Sequence, residues 1–196
     1  MIGAINMLDV LERIYTFLSS PTTLFCTAIV IIAIYTLSTA TNFLNIKRVF
    51  SDYYKIFSGA KTHLLIFWGV PILFSLALIQ VALISGTISE NILVFLSILI
   101  AAFFSMLSIL VSQQANINTS TQFKIVLKES ASLVLLEIIL CIFALIITLA
   151  ASILGSTIDD WLSIAISFAD YYVIFVMLLN TLILIKRIKA LIDNTN

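Results

Sequence analysis

Glu137 and Asp170 are carboxyl groups set in stretches of Ile, Leu, Val and Ala that hold no Lys or Arg, and Gln80 and Asn180 are amides in similar surroundings. In hydrocarbon such side chains are costly and turn toward the interior of a helix bundle, so these four are the residues whose type and place could do chemistry. Two acids at different depths can form a proton or cation path. They can also act as a sensor that changes protonation or partner when the bundle moves, or as hydrogen-bonding glue between helices, which is the commonest use of such groups. Counting roughly 1.5 Å per residue from the segment ends places Asp170, Gln80, Ser97 and Thr148 at one depth. Glu137 and Asn180 fall at a second, about 8 Å inside the boundary nearest the basic loops. Each acid is therefore expected to have an amide within reach. Neither has a basic partner in any apolar segment, and a neutral carboxyl bonded to an amide is a form that a bundle interior tolerates.

The remaining inventory excludes most catalysis. The single His, His63, stands at the edge of an apolar segment, and no His, Cys or carboxylate cluster has metal-ligand spacing. Cys26 and Cys141 lie in different apolar segments without pair spacing, which reads as buried inert thiols. There is no phosphate loop, no dinucleotide fingerprint and no Ser, His and acid set on a polar loop. The expectation is a protein that is not an enzyme and that holds neither metal nor cofactor.

What must position the four polar residues is a set of membrane helices. The chain of 196 residues is 62% hydrophobic and 10% charged, too apolar for a domain that folds in water. Its apolar residues are bunched into segments of about 20, the length that crosses roughly 30 Å of hydrocarbon as a helix. The fold class is all-α, a multi-pass transmembrane helical bundle with spans expected at about Thr23–Phe43, His63–Ile84, Ile92–Val111, Ser132–Leu154 and Leu162–Ile185. Since every backbone polar group in lipid must be paired internally, even Ile- and Val-rich runs such as Ala28–Ile34 read as helix.

Charge sets the orientation. Lys47, Arg48, Lys55 and Lys61 fall between spans one and two, Lys124 and Lys128 between three and four, and Lys186, Arg187 and Lys189 after span five. With five spans, nine of the ten basic residues share one face, which the positive-inside bias makes cytoplasmic, with the N-terminus outside and the C-terminus inside. The other face carries Arg13 with Asp9, Glu12, Glu90, Asp159 and Asp160. Four or six spans would split the basic loops across both faces. The first apolar run follows an acid-bearing stretch and is long enough to span, so no cleavable signal is expected. A formal net charge of zero argues against direct nucleic-acid binding.

Residues 1–20 repeat Ile5, Leu8, Leu11, Ile14, Tyr15 and Leu18 on one face, an amphipathic helix expected to lie in the outer interface and to end at Ser20-Pro21. In the first cytoplasmic loop, 44–62, Ile46, Val49, Phe50, Tyr53 and Phe57 form an apolar stripe. It is expected either to lie on the inner leaflet, with Lys47, Arg48 and Lys55 drawn to anionic lipid, or to dock a protein partner. The second loop, 112–131, is polar, with a short helix expected near Thr121–Lys128; its Asn118-Thr119-Ser120 sequon is discounted in a cytoplasmic loop. Tight turns at Ser85–Asn91 and Gly155–Trp161 are expected to make antiparallel hairpins of spans two and three and of spans four and five. Gly69-Val70-Pro71 marks a kink in span two, and no internal repeat is present. Small residues recur at helical spacing as Ser97, Ala101, Ser105, Ser108 and Ser112 in span three. Span four has Cys141, Ala144, Thr148, Ser152 and Gly155 near the Glu137 face. Such stripes permit close approach of helices, within one bundle, between protomers or to a second membrane protein.

The length, the four to five helices and the lack of a soluble domain resemble the membrane subunit of Kiwa-type antiphage defence systems. That resemblance implies an oligomeric sensor in the bacterial inner membrane that binds a cytosolic effector. The residues independently point to a non-enzymatic sensor or scaffold whose homo-oligomer would present Lys47, Arg48, Lys55, Lys124, Lys128 and Lys186 as a basic surface. The rival class is a small proton or cation channel or transporter subunit using Asp170 and Glu137, with a protective protein such as a toxin immunity partner third.

Overall fold

The computed structural model describes residues 15–16, 20, 23–24, 27–28, 30–31, 34, 49–51, 53–54, 61–114, 121–154 and 160–193. Four long helices follow one another: α1 Lys61–Val81, α2 Gly86–Gln114, α3 Thr121–Leu154 and α4 Asp160–Asp193. Three stretches, Gly86–Gln113, Phe123–Ile153 and Asp160–Lys189, are long and apolar enough to cross a membrane, and Leu65–Val81 is a shorter apolar helix. Among the described residues there is no strand, and the chain is an all-α membrane helical bundle. The expected N-terminal amphipathic helix and first span lie mostly outside the described residues. Where they are described they are helical and largely exposed apart from the bend at Ser20, whose hydroxyl accepts from the Thr23 backbone N–H and caps the helix that follows.

The helices pack as an array in the order α2, α3, α4, α1, with α3 and α4 at the centre. α3 is the most buried of the three long apolar stretches and α2 the least. The α3–α4 hairpin is as the short connection requires, but the expected hairpin of spans two and three is not formed: α1 packs on α4 and leaves α2. The turn also falls earlier than expected, at Ala82–Ser85, because Gly86, at a φ of 47°, takes the corner conformation open chiefly to glycine and α2 starts there. A short turn brings helix ends together, but side chains decide which faces meet. On α1 those side chains are aromatic: Phe74 stacks on Phe175 of α4 at 5.0 Å, and Trp68 meets Tyr172 at 6.5 Å. Two polar ties add to them, from the Tyr171 hydroxyl to the Ala82 carbonyl and from the Ile84 N–H to the Ser167 hydroxyl. Pro71 sits inside α1 without ending it. Proline supplies no N–H and crowds the preceding turn, and there the Trp68 carbonyl accepts from the Tyr172 hydroxyl at 3.4 Å. Between α1 and α2, over α4, an apolar groove of about 350 Å³ remains, bordered by Leu78, Ile92, Phe95 and Tyr171.

Two further differences concern the basic end. The short helix expected near Thr121–Lys128 is continuous with span four. No Gly or Pro interrupts the chain from 121 to 154, so nothing stops the helix where the polar residues begin. α4 likewise runs on past Ile185 to Asp193. Of the apolar stripe of the first loop, the described Val49, Phe50 and Tyr53 face protein: Tyr53 is fully buried in the core, with Val49 and Phe50 packed against it, and Ile46 and Phe57 lie outside the described residues.

The two small-residue stripes have different fates. On α3, Cys141, Ala144 and Thr148 are fully buried while Ser152 is exposed; on α2, Ser97, Ala101, Ser105, Ser108 and Ser112 are all exposed. Ala144→Leu should therefore force α3 from its neighbours and weaken the bundle by about 1–3 kcal/mol. Ala101→Leu should stay within about 0.5 kcal/mol of the parent. Denaturant titration in mixed micelles measures both.

Candidate functional site

Three polar contacts tie α3 to α4 along one antiparallel register. Glu129 pairs with Arg187, Glu137 lies against Asn180, and Thr148 bonds Asp170. Passing from the first contact to the second takes eight residues on α3 and seven on α4, and to the third eleven and ten more, so the helices keep in step. The depth expectation for Glu137 with Asn180 and for Asp170 with Thr148 follows this register. Gln80 does not join Asp170, since its side chain is exposed on α1 and the acid's partner is a hydroxyl. Ser97 is exposed on α2 and bonds its own helix at the Leu93 carbonyl.

At the Asp170 level, Thr148 Oγ1 stands 2.5 Å from Asp170 Oδ2 and 2.9 Å from the Ala144 carbonyl oxygen. The Thr148 hydroxyl donates toward both, a shared hydrogen bond that ties Asp170 to α3 while it backs onto its own helix. Asp170 Oδ1 has no partner.

The Glu137 level is richer. Glu137 and Asn180 are buried to 1% exposure or less. Both carboxyl oxygens, the Asn180 Nδ2 and the Trp68 Nε1 lack a hydrogen-bond partner. The Tyr53 hydroxyl donates to Asn180 Oδ1 at 2.8 Å, which turns the amide nitrogen away from the phenol. Trp68 meets the Tyr53 ring edge-on at 6.4 Å and stacks on Tyr54 at 6.5 Å. Burial pushes the Tyr53 phenol up to about 12, with the nearby Glu137 charge adding to the effect, so this hydroxyl keeps its proton and remains a donor. Sequence reading assigned Tyr53 to an interfacial stripe and gave Trp68 no role. The available signal was an aromatic cluster, Tyr53, Tyr54 and Trp68, flanking the span that must cover a buried acid.

No protein-family model, curated protein or solved structure matches the chain. Its function has to be read from its own geometry.

Of the expected basic surface, Lys124, Lys128 and Lys186 are exposed at the end of the bundle beyond Glu137. Lys47, Arg48 and Lys55 lie outside the described residues. Arg187, less exposed than its neighbours Lys186 and Lys189, is held by Glu129. Among the described residues no group of three or more His, Cys, Asp or Glu is placed to hold a metal ion.

Asp170→Asn keeps an acceptor for Thr148 and should unfold like the parent. Thr148→Val and Asp170→Leu should each cost about 0.6–2 kcal/mol, and a double-mutant cycle in mixed micelles should return a coupling of similar size.

Proposed function

We propose that the chain is a non-enzymatic integral membrane sensor or scaffold, multi-pass in the cell inner membrane, that self-associates and recruits a cytosolic effector protein at its basic end. The observation that carries this reading is the length of the central hairpin. α3 and α4 have 34 residues each, about 51 Å of helix against roughly 30 Å of hydrocarbon. The surplus lies at the end where Lys124, Lys128 and Lys186 are exposed and Glu129 joins Arg187. A paired helical arm with an outward basic face suits an acidic partner by steering its approach. Self-association is supported by α2, whose Ser and Ala stripe faces out of the bundle. The likeness to the membrane subunit of Kiwa-type defence systems agrees with this assignment.

Transport is the second reading, favoured by two buried carboxyls with unpartnered oxygens on one seam. Against it, the seam between them is filled by Cys141, Ala144, Val173 and Met177, all buried and apolar.

Detergent-solubilised protein expressed with its genomic neighbours is expected to be oligomeric and to co-purify at low salt with a neighbour-encoded soluble protein. Lys128→Glu with Lys186→Glu should weaken that capture by roughly two- to thirtyfold. A strict monomer without a partner overturns the reading and leaves transport in front. Orientation has its own measurement, made in a Cys26→Ser, Cys141→Ser background. Gly3→Cys should react with an impermeant thiol reagent in intact cells and Gln113→Cys should not; the reverse pattern sinks the N-out topology.

A further inference from the structure

We propose that the Glu137 cluster binds one small monovalent cation, a proton or an alkali ion, and that loading it keeps the Tyr53 segment docked on the bundle. The cluster gathers side chains from four parts of the chain: Glu137 on α3, Asn180 on α4, Trp68 on α1 and Tyr53 from the segment before α1. No hydrogen bond is closed at either carboxyl oxygen, at the Asn180 Nδ2 or at the Trp68 Nε1, although Asn180 adjoins the carboxyl and Trp68 adjoins the Tyr53 hydroxyl. A buried carboxylate in this condition is among the least favourable groups a bundle can hold, and a counter-charge relieves it.

No cation among the described residues provides that charge. Among the described residues the cation nearest along α4 is Arg187, seven residues from Asn180 and already paired with Glu129. The other titratable neighbours are the Tyr53 phenol and the Cys141 thiol, and neither supplies a positive charge. α1, α2 and α4 present no acid at this level among the described residues, so a divalent ion would leave excess charge. Glu137, Asn180 and Cys141 are all at 1% exposure or less, and the described groove lies toward the other end of the bundle. The ligand is therefore small, not an organic cation.

Loading also affects Tyr53. Its hydroxyl is bonded to Asn180 with the Glu137 carboxyl nearby. An uncompensated carboxylate competes with Asn180 Oδ1 for that proton, because a charged acceptor makes the stronger hydrogen bond. Neutralising the carboxyl preserves the observed contact. Trp68, flanked by Tyr53 and Tyr54, reports the change.

The chain has two tryptophans, so Trp161→Phe leaves Trp68 alone. The full chain carrying that change, in lipid nanodiscs, is titrated with pH in choline chloride, and with sodium or potassium chloride at constant ionic strength. Unloading should shift Trp68 emission to the red as it loses its aromatic neighbours. A shift with pH that alkali ions do not move assigns a proton. A sodium or potassium effect absent with choline assigns an alkali ion. Glu137→Gln should hold the emission at its loaded position throughout. Asn180→Leu, which spares the carboxyl, should move the midpoint by at least about tenfold. Emission unchanged in both titrations of the parent, a shift that persists in Glu137→Gln, or a midpoint indifferent to Asn180→Leu overturns the proposal. No partner protein enters the measurement, so its outcome is separate from that of the recruitment reading.

Discussion

Hydrocarbon offers no water to a carboxyl or an amide, so in this bundle such groups must be hidden by other helices. The seam between α3 and α4 does this. Glu137, Thr148, Asp170 and Asn180 all lie in it, fully buried or nearly so, and the small Cys141 and Ala144 between them allow close approach. The polar pairs share one register, and each residue of slip turns a helix face by about 100°. A single slip would therefore strip both acids of their neighbours together. Most of the remaining packing follows from that requirement. α1 brings its aromatic face to α4 and α2 takes the free side of α3.

The two polar levels are unequal. Asp170 has a hydroxyl partner, whereas Glu137 has neighbours but no closed hydrogen bond. About 15 Å of helix separates them, several times the reach of one hydrogen bond. The side chains between, Cys141, Ala144, Val173 and Met177, offer no polar stepping stone apart from the thiol. In this conformation the seam is two separate polar sites, and the open capacity belongs to the one beside Tyr53.

Much of this was legible in the sequence because membrane helices obey length and polarity rules that ignore detail. Apolar length gives spans at 92–111, 132–154 and 162–185, and the long apolar helices at 86–113, 123–153 and 160–189 cover nearly all of them. Counting depth along two helices joined by a short connection puts Glu137 opposite Asn180 and Thr148 opposite Asp170. Depth says nothing about azimuth, however, and so Gln80 and Ser97, at the right height, point away from the acid. The side-by-side order of helices was hidden for the same reason: an apolar turn at Ala82–Ser85 does not reveal that the aromatic face of α1 matches α4. Tyr53 was misplaced because a stripe of Val, Phe and Tyr reads alike whether it meets lipid or protein. The polarity of 121–130 suggested a loop element, although the lack of any helix-breaking residue carries α3 straight through it.

The exposed end of the hairpin gains meaning from this continuity. The Glu129–Arg187 pair is partly solvent-exposed, and such pairs contribute at most about 1 kcal/mol, so its consequence is register more than stability. It stands about 12 Å along α3 from Glu137 with no break in the helix between them. The two helices that enclose the incompletely bonded carboxyl are thus the same two that bear Lys124, Lys128 and Lys186. A flexible loop would lose a change in the partners of Glu137 within a few residues. A pair of unbroken helices held in register would carry a rotation at the buried level, were one to occur, as far as the basic face.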